Sequence, residues 1–176
     1  SAFAEMQRIE NLMSTHIADS EISRLNKSAG EDFMSVSPEM AEVIRMAIRV
    51  GDLSQGAFDI SIGPVVNLWK FDDEHPTIPA ADALKKAVAL VNYKDMEIKE
   101  GKIRLARAGM QLHLGAIAKG YGVDRAIGIL RKSGIRDAIV NAGGDLLATG
   151  TRNAEKLWVI GIQHPRKPIE RPVRIG

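Results

Sequence analysis

Apolar side chains at Phe3, Met6, Ile9, Leu12, Met13 and Ile17 recur every three or four positions, which predicts an amphipathic helix over residues 2–18. Asp19 to Ser35 is polar and reads as turns. Ser37-Pro38 is a helix start, because serine can cap the first free N–H groups and proline fits the first helical position. Met40, Val43, Ile44, Ala47 and Ile48 supply the buried stripe of that helix, with Gly51 or Gly56 at its end. An extended pattern around Asp59 would turn its carboxylate away from Phe58 and Ile60. Trp69 and Phe71 read as core packing, and Pro79 opens a helix through Leu90 with Leu84, Ala87, Val88 and Val91 on its apolar face. Alternation on both sides of Glu100-Gly101 predicts a hairpin over Met96–Leu105, followed by a strand from Met110 to Leu114. A helical pattern then runs to about Ser133, where Gly134 fits the C-terminal cap. Ile135–Asn141, Leu146–Thr149 and Leu157–Gln163 read as strands, the last with Trp158, Ile160 and Ile162 on one face. Helices alternating with hairpins predict an α+β fold, a mixed and largely antiparallel sheet flanked by helices.

Composition narrows this picture only slightly. The 176 residues fit one domain, able to bury roughly 70% of its unfolded surface. No apolar run has the length of a membrane span, and an opening on a helical pattern leads us to expect no signal peptide within the sequence. The absence of cysteine excludes disulfides and thiolate chemistry. Charge is more telling. Residues 1–100 carry 10 Lys+Arg against 17 Asp+Glu, a net −7, whereas residues 101–176 carry 14 against 5, a net +9. A basic half attracts phosphates. With aromatics at 5% and the charges spread over strands and turns, nucleic acid is not expected as a partner.

The stretch Leu112-His113-Leu114-Gly115-Ala116-Ile117-Ala118-Lys119-Gly120 joins an extended run to a helix through small residues and a lysine. Free N–H groups at a helix start favour an anion, and a lysine adds a point charge. The same glycines also suit a plain strand-to-helix connection. Neither the Walker nor the dinucleotide glycine spacing is present. Elsewhere, Asn26 after a serine-rich turn suits a bond to its own backbone. Asp59 reads as an exposed carboxylate or a turn cap, His16 as a surface side chain, and His113 as a structural side chain at the loop edge. Asn141-Ala142-Gly143-Gly144-Asp145 reads either as a tight hairpin or as a close approach to a ligand. The acids from Asp72 to Glu74, with His75, lack calcium-loop spacing and are assigned no site.

Four segments in this order, Ser20–Asn26, Gly56–Asp59 with its run to Trp69, Leu114–Asp124 and Val140–Asp145, resemble the ApbE family of magnesium-dependent FAD:protein FMN transferases. The resemblance implies that Ala57, Phe58 and Asp59 touch FAD, that the Asn26 amide contacts flavin or nucleotide, and that Lys119 lies near the phosphates. It implies a backbone metal ligand at Ala116 for Mg2+. His16 stands where the family has a tyrosine beside the adenine, His113 where it has an aspartate, and Lys70 where it has a glycine. Both histidines remain cofactor-contact candidates. The implied reaction moves FMN from FAD to a threonine of an acceptor flavoprotein and releases AMP. FAD hydrolysis and non-catalytic FAD binding or assembly are the alternatives. No catalytic base is assigned. The sequence is expected to be a single partial domain over residues 1–176, lacking the family's opening strand and its later metal-ligand segments. A cell-envelope or periplasmic location, with membrane contact only through an upstream lipid anchor, is implied as well.

Overall fold

The computed structural model describes residues 1–69, 77–153 and 156–162. Lys70, Phe71, the acidic loop from Asp72 to His75, Gln163 and the tail from His164 lie outside the described residues. The chain forms two compact units, one of Gln7–Tyr121 and the other of Ser1–Met6 with Gly122–Gly176.

In the Gln7–Tyr121 unit, helix α1 (Ala2–Met13) buries Ile9 and Met13. It stops five residues before the expected end at residue 18. There the Ser14 hydroxyl accepts the His16 N–H at 3.3 Å and the Ser14 carbonyl accepts that of Ile17, so local bonds replace the helical ladder. Phe3, expected on the buried face, is 83% exposed. The polar stretch expected as turns holds helix α2 (Glu21–Lys27), capped by Ser20, whose Oγ accepts the Ser23 N–H at 3.1 Å. Seven residues are too few to be helical alone. Ile22 and Leu25 are wholly buried, each contributing about 2 kcal/mol, and that burial holds the helix.

Helix α3 (Pro38–Leu53) starts as expected, with Ser37 accepting from the Met40 N–H and Pro38 at the first position. Its buried stripe includes Met40, Val43, Ile44 and Ala47. The helix runs through Gly51, where a Cβ would come within 3.1 Å of the Tyr93 ring, and ends before Gln55 and Gly56, both at positive φ. A one-turn helix α4 (Gly63–Val66) follows, then α5 (Ala81–Val88). α5 is shorter than expected, and Val88 is exposed.

Strand β1 (Met34–Ser35), β2 (Met96–Lys99) and β3 (Lys102–Leu105) form an antiparallel sheet in the order β1-β3-β2. The β2–β3 hairpin turns on Glu100 and Gly101 as expected, both at positive φ, as a two-residue primed turn requires. Met110, Leu112 and Leu114 are buried in strict alternation, but the segment forms only one bridge, parallel, between Ile62 and Gln111. It is therefore not the strand expected.

In the second unit, helix α6 (Ala118–Lys132) buries Val123, Ala126 and Ile127. It ends with the Ile135 N–H bonding the Leu130 carbonyl around Gly134 at φ +82, the left-handed cap expected. Strand β4 (Ala138–Ala142) pairs with β5 (Asp145–Thr149) through a two-residue turn at Gly143-Gly144. The NAGGD segment is thus a tight hairpin. Residues 157–162 do not form the expected strand: Leu157, Val159 and Ile162 are exposed, while the Trp158 indole N–H donates to the Thr149 carbonyl at 3.1 Å.

Candidate functional site

A cavity of about 1030 Å3 opens within the Gln7–Tyr121 unit, lined among others by His16, Asn26, Lys27, Trp69, Gln111 and His113. Three candidates read from sequence, His16, Asn26 and His113, therefore share one site. They come from the turn after α1, from α2 and from the extended segment before α6.

Asn26 has a structural duty there. Its Oδ1 accepts the Leu112 N–H at 2.7 Å and its Nδ2 donates to the Leu112 carbonyl at 3.0 Å. The side chain thus stands in for a neighbouring strand. On the other edge the His113 N–H donates to the Ile60 carbonyl at 2.8 Å, and the Gly63 N–H donates to the Gln111 carbonyl at 3.1 Å. Segment 111–113 is pinned from both sides. A primary amide has a second acceptor lone pair and a second donor hydrogen, so Asn26 can hold the backbone and still offer a bond to the cavity. The expected bond to its own backbone is replaced by one 86 residues away.

His113 is half-buried with its Nδ1 accepting from the Gly115 N–H at 3.4 Å. Burial, and secondarily the neighbouring charge of His16, hold its imidazole below the ordinary histidine value. His16 is exposed at the rim. No carboxylate lines this cavity among the described residues. The Asn67 amide donates to the Gln111 side chain at 2.5 Å.

Asp59 lies elsewhere. Its Oδ1 accepts from the Ser61 N–H and hydroxyl at 2.7 and 2.6 Å, and its Oδ2 accepts the Tyr93 N–H at 2.9 Å. It is a turn cap that ties the 59–61 turn to residue 93, and it lines a smaller cavity of about 450 Å3 with Asp52 and Tyr93. The extended conformation expected there is lost to these side-chain bonds. Phe58 packs against the core and Ala57 is exposed. Ala116 and Lys119 are exposed at the turn entering α6 and do not line the large cavity. Among the described residues no three His, Asp or Glu side chains gather as a metal shell.

Sequence reading missed Lys27, Asn67 and Gln111 as cavity residues. For Gln111 the signal was present: period-two alternation puts it on the face of His113, opposite Leu112. Asn67 and Lys27 carried none.

The sequence matches the family model for the ApbE family over residues 1–175, and the chain belongs to that family. It is 30% identical to an FAD:protein FMN transferase of Treponema pallidum, covering 98% of this chain and 52% of that protein. A protein of the same name from Haemophilus influenzae is 33% identical, with 97% and 51% covered. The flavin transferase ApbE from Vibrio cholerae superposes with a TM-score of 0.85 at 30% identity, over 93% of this chain and 55% of that one. The chain spans about half the length of the curated relatives it matches.

Proposed function

We propose that this chain is the nucleotide-holding part of an FAD:protein FMN transferase. The observation that carries the reading is the cavity shared by His16, Asn26 and His113, three positions 97 residues apart at their extremes. Its described lining holds Lys27, two histidines and neutral amides, with an indole at one side, a set suited to the phosphates and rings of a dinucleotide. The transfer proposed is attack of an acceptor threonine oxygen on the phosphorus bearing FMN. The new bond is Thr O–P, the anhydride P–O bond breaks, AMP leaves with the electron pair, and the hydroxyl proton passes to solvent or an acceptor. Such chemistry is mainly positioning and charge neutralisation. The clamp at Asn26 fixes the segment leading into the start of α6, where Lys119 lies.

Magnesium dependence belongs to this proposal, but the described residues offer only the Ala116 carbonyl and no carboxylate cluster. They do not make a magnesium shell by themselves, and no step is routed through the ion. A cell-envelope location with an upstream lipid anchor is likewise proposed from the family. The test mixes the chain with FAD, magnesium and a threonine-bearing acceptor. Flavinylated acceptor with AMP supports transfer. FMN and AMP without acceptor assign a hydrolase. FAD bound with no product makes the chain a binding module, and no FAD binding refutes the reading.

A further inference from the structure

His16 and His113, far apart in the sequence, line one cavity. We propose that His16 and His113 form a phosphate reader, selecting a ligand by its anionic diphosphate, with His113 taking up a proton as it binds. This deepens the nucleotide-binding reading and rests on it for the identity of the ligand.

Charge balance carries the argument. Among the described residues, the ionisable side chains lining the cavity are His16, Lys27 and His113, and every one is cationic when charged. The rest of its polar lining, Thr15, Ser23, Asn26, Asn67 and Gln111, is neutral. The segment from Gly63 to Trp69 brings no charged side chain to the cavity, and α6 brings Lys119 only to its exposed first turn. Asp59 is held by Ser61 and Tyr93 in the other cavity. Among the described residues an imidazolium here therefore has no carboxylate beside it in the cavity lining, and an anionic ligand would supply the counter-charge.

Geometry adds a coupling. With Nδ1 accepting from the Gly115 N–H, the His113 ring carries no proton on that nitrogen and is neutral. The ring lies so close that a Cβ on residue 115 would fall 2.6 Å from its Cε1. Protonating Nδ1 releases the Gly115 N–H and creates a second donor beside it. Neutral His113 thus covers a backbone donor of the turn, and charged His113 exposes it. In the empty site burial and His16 disfavour that charge. A phosphate at contact distance favours it by one unit or more.

The test is proton NMR titration of the imidazole Cε1–H signals in the intact chain, alone, with FAD, with sulfate and with adenosine. FAD's diphosphate diester and sulfate do not titrate in the range read, so any midpoint change belongs to the protein. His16→Asn and His113→Asn assign two of the four histidine signals. We expect the midpoint of His113 to rise by about one unit with FAD or sulfate, and not with adenosine. FAD affinity should fall up to tenfold per pH unit above the free-state midpoint, a dependence lost in His113→Asn. If neither anion moves the His113 midpoint, the proposal is overturned whatever FAD does. If sulfate moves it and FAD does not bind, the phosphate reader stands and the dinucleotide reading falls.

Discussion

Replacing Asn26 separates a backbone clamp from a simple cavity-lining side chain. Leu112 is wholly buried, and the Asn26 amide satisfies both its N–H and its carbonyl. Removing the amide leaves two buried polar groups, each costing about 1–3 kcal/mol if nothing replaces the partner. Two effects offset this in Asn26→Ala. The vacated space adjoins the open cavity, so water can reach Leu112, and alanine in α2 recovers about half a kcal/mol of helix propensity. Asn26→Leu has nearly the shape of asparagine and keeps water out. We therefore expect Ala to cost roughly 1–2 kcal/mol and Leu about 3 kcal/mol despite its greater hydrophobicity. For a chain of this size that is a fall in Tm of roughly 6–12 °C for Leu.

Asn26→Asp adds a sign test. The protonated carboxyl offers one donor and one acceptor and so reproduces the clamp, while the ionised form has no donor for the Leu112 carbonyl. The folded pKa of that aspartate must lie above its unfolded value of about 3.9. Stability from the clamp is then fully present below the unfolded value and lost as pH rises through the folded one. Denaturant unfolding at several pH values, with amide exchange at Leu112, measures all three variants. An Asn26→Leu protein within 1 kcal/mol of the parent, or less damaged than Asn26→Ala, would refute the clamp.

At Gly63 a Cβ would meet the Gln111 carbonyl at 2.5 Å, so Gly63→Ala must break the bridge to residue 111. It should lose about 2–4 kcal/mol in denaturant unfolding, and a neutral result would discount the approach. Glu21, 7% exposed, accepts the Ser37 N–H and hydroxyl at 2.6 and 2.5 Å. Glu21→Ala should therefore cost about 2 kcal/mol and Glu21→Gln less than half of that, read as denaturation midpoints. The Tyr93 phenol is raised above its ordinary value first by its bond to Asp52, then by burial and by the charges of Asp52 and Asp59. Its stabilising share is present below about pH 10 and lost as pH rises through the higher folded value. Phenolate absorbance in a Tyr121→Phe background should show Asp52→Asn lowering the Tyr93 midpoint, and an unmoved midpoint would remove Asp52 as the cause.

Much of the fold was legible where a residue type forces a conformation. Ser37-Pro38 starts α3 and Gly134 ends α6, because proline and left-handed glycine leave few alternatives. The same holds for the turn at Glu100-Gly101, whereas Gly143-Gly144 read equally as a hairpin or as a close approach to a ligand. The failures share another cause. α2 was read as turn because its only apolar pair is Ile22 and Leu25, too little for a periodic signal, although full burial of that pair is what forms it. The Met110–Leu114 strand failed for the opposite reason. Its alternation is real, but one of its edges is filled by a side chain from a helix, and no local pattern records that substitution.

Legibility at the site follows from the same distinction. His16, Asn26 and His113 were reachable only through family resemblance, since their meeting depends on contacts across 86 residues and more. What the resemblance could not supply is how each side chain is already occupied. The Asp59 carboxylate is held by Ser61 and Tyr93, and the Asn26 amide by Leu112. In both, a polar side chain named for ligand contact is first a fastening that sets the backbone beside a cavity. His113, Gly115 and the turn into α6 follow directly from the pinned segment. A change of side chain at position 113 consequently leaves the fastening bonds intact, because they run through the backbone of residues 111–113, and alters only the charge on the cavity wall. A scaffold whose register is held by main-chain bonds can exchange the sign of its site without refolding.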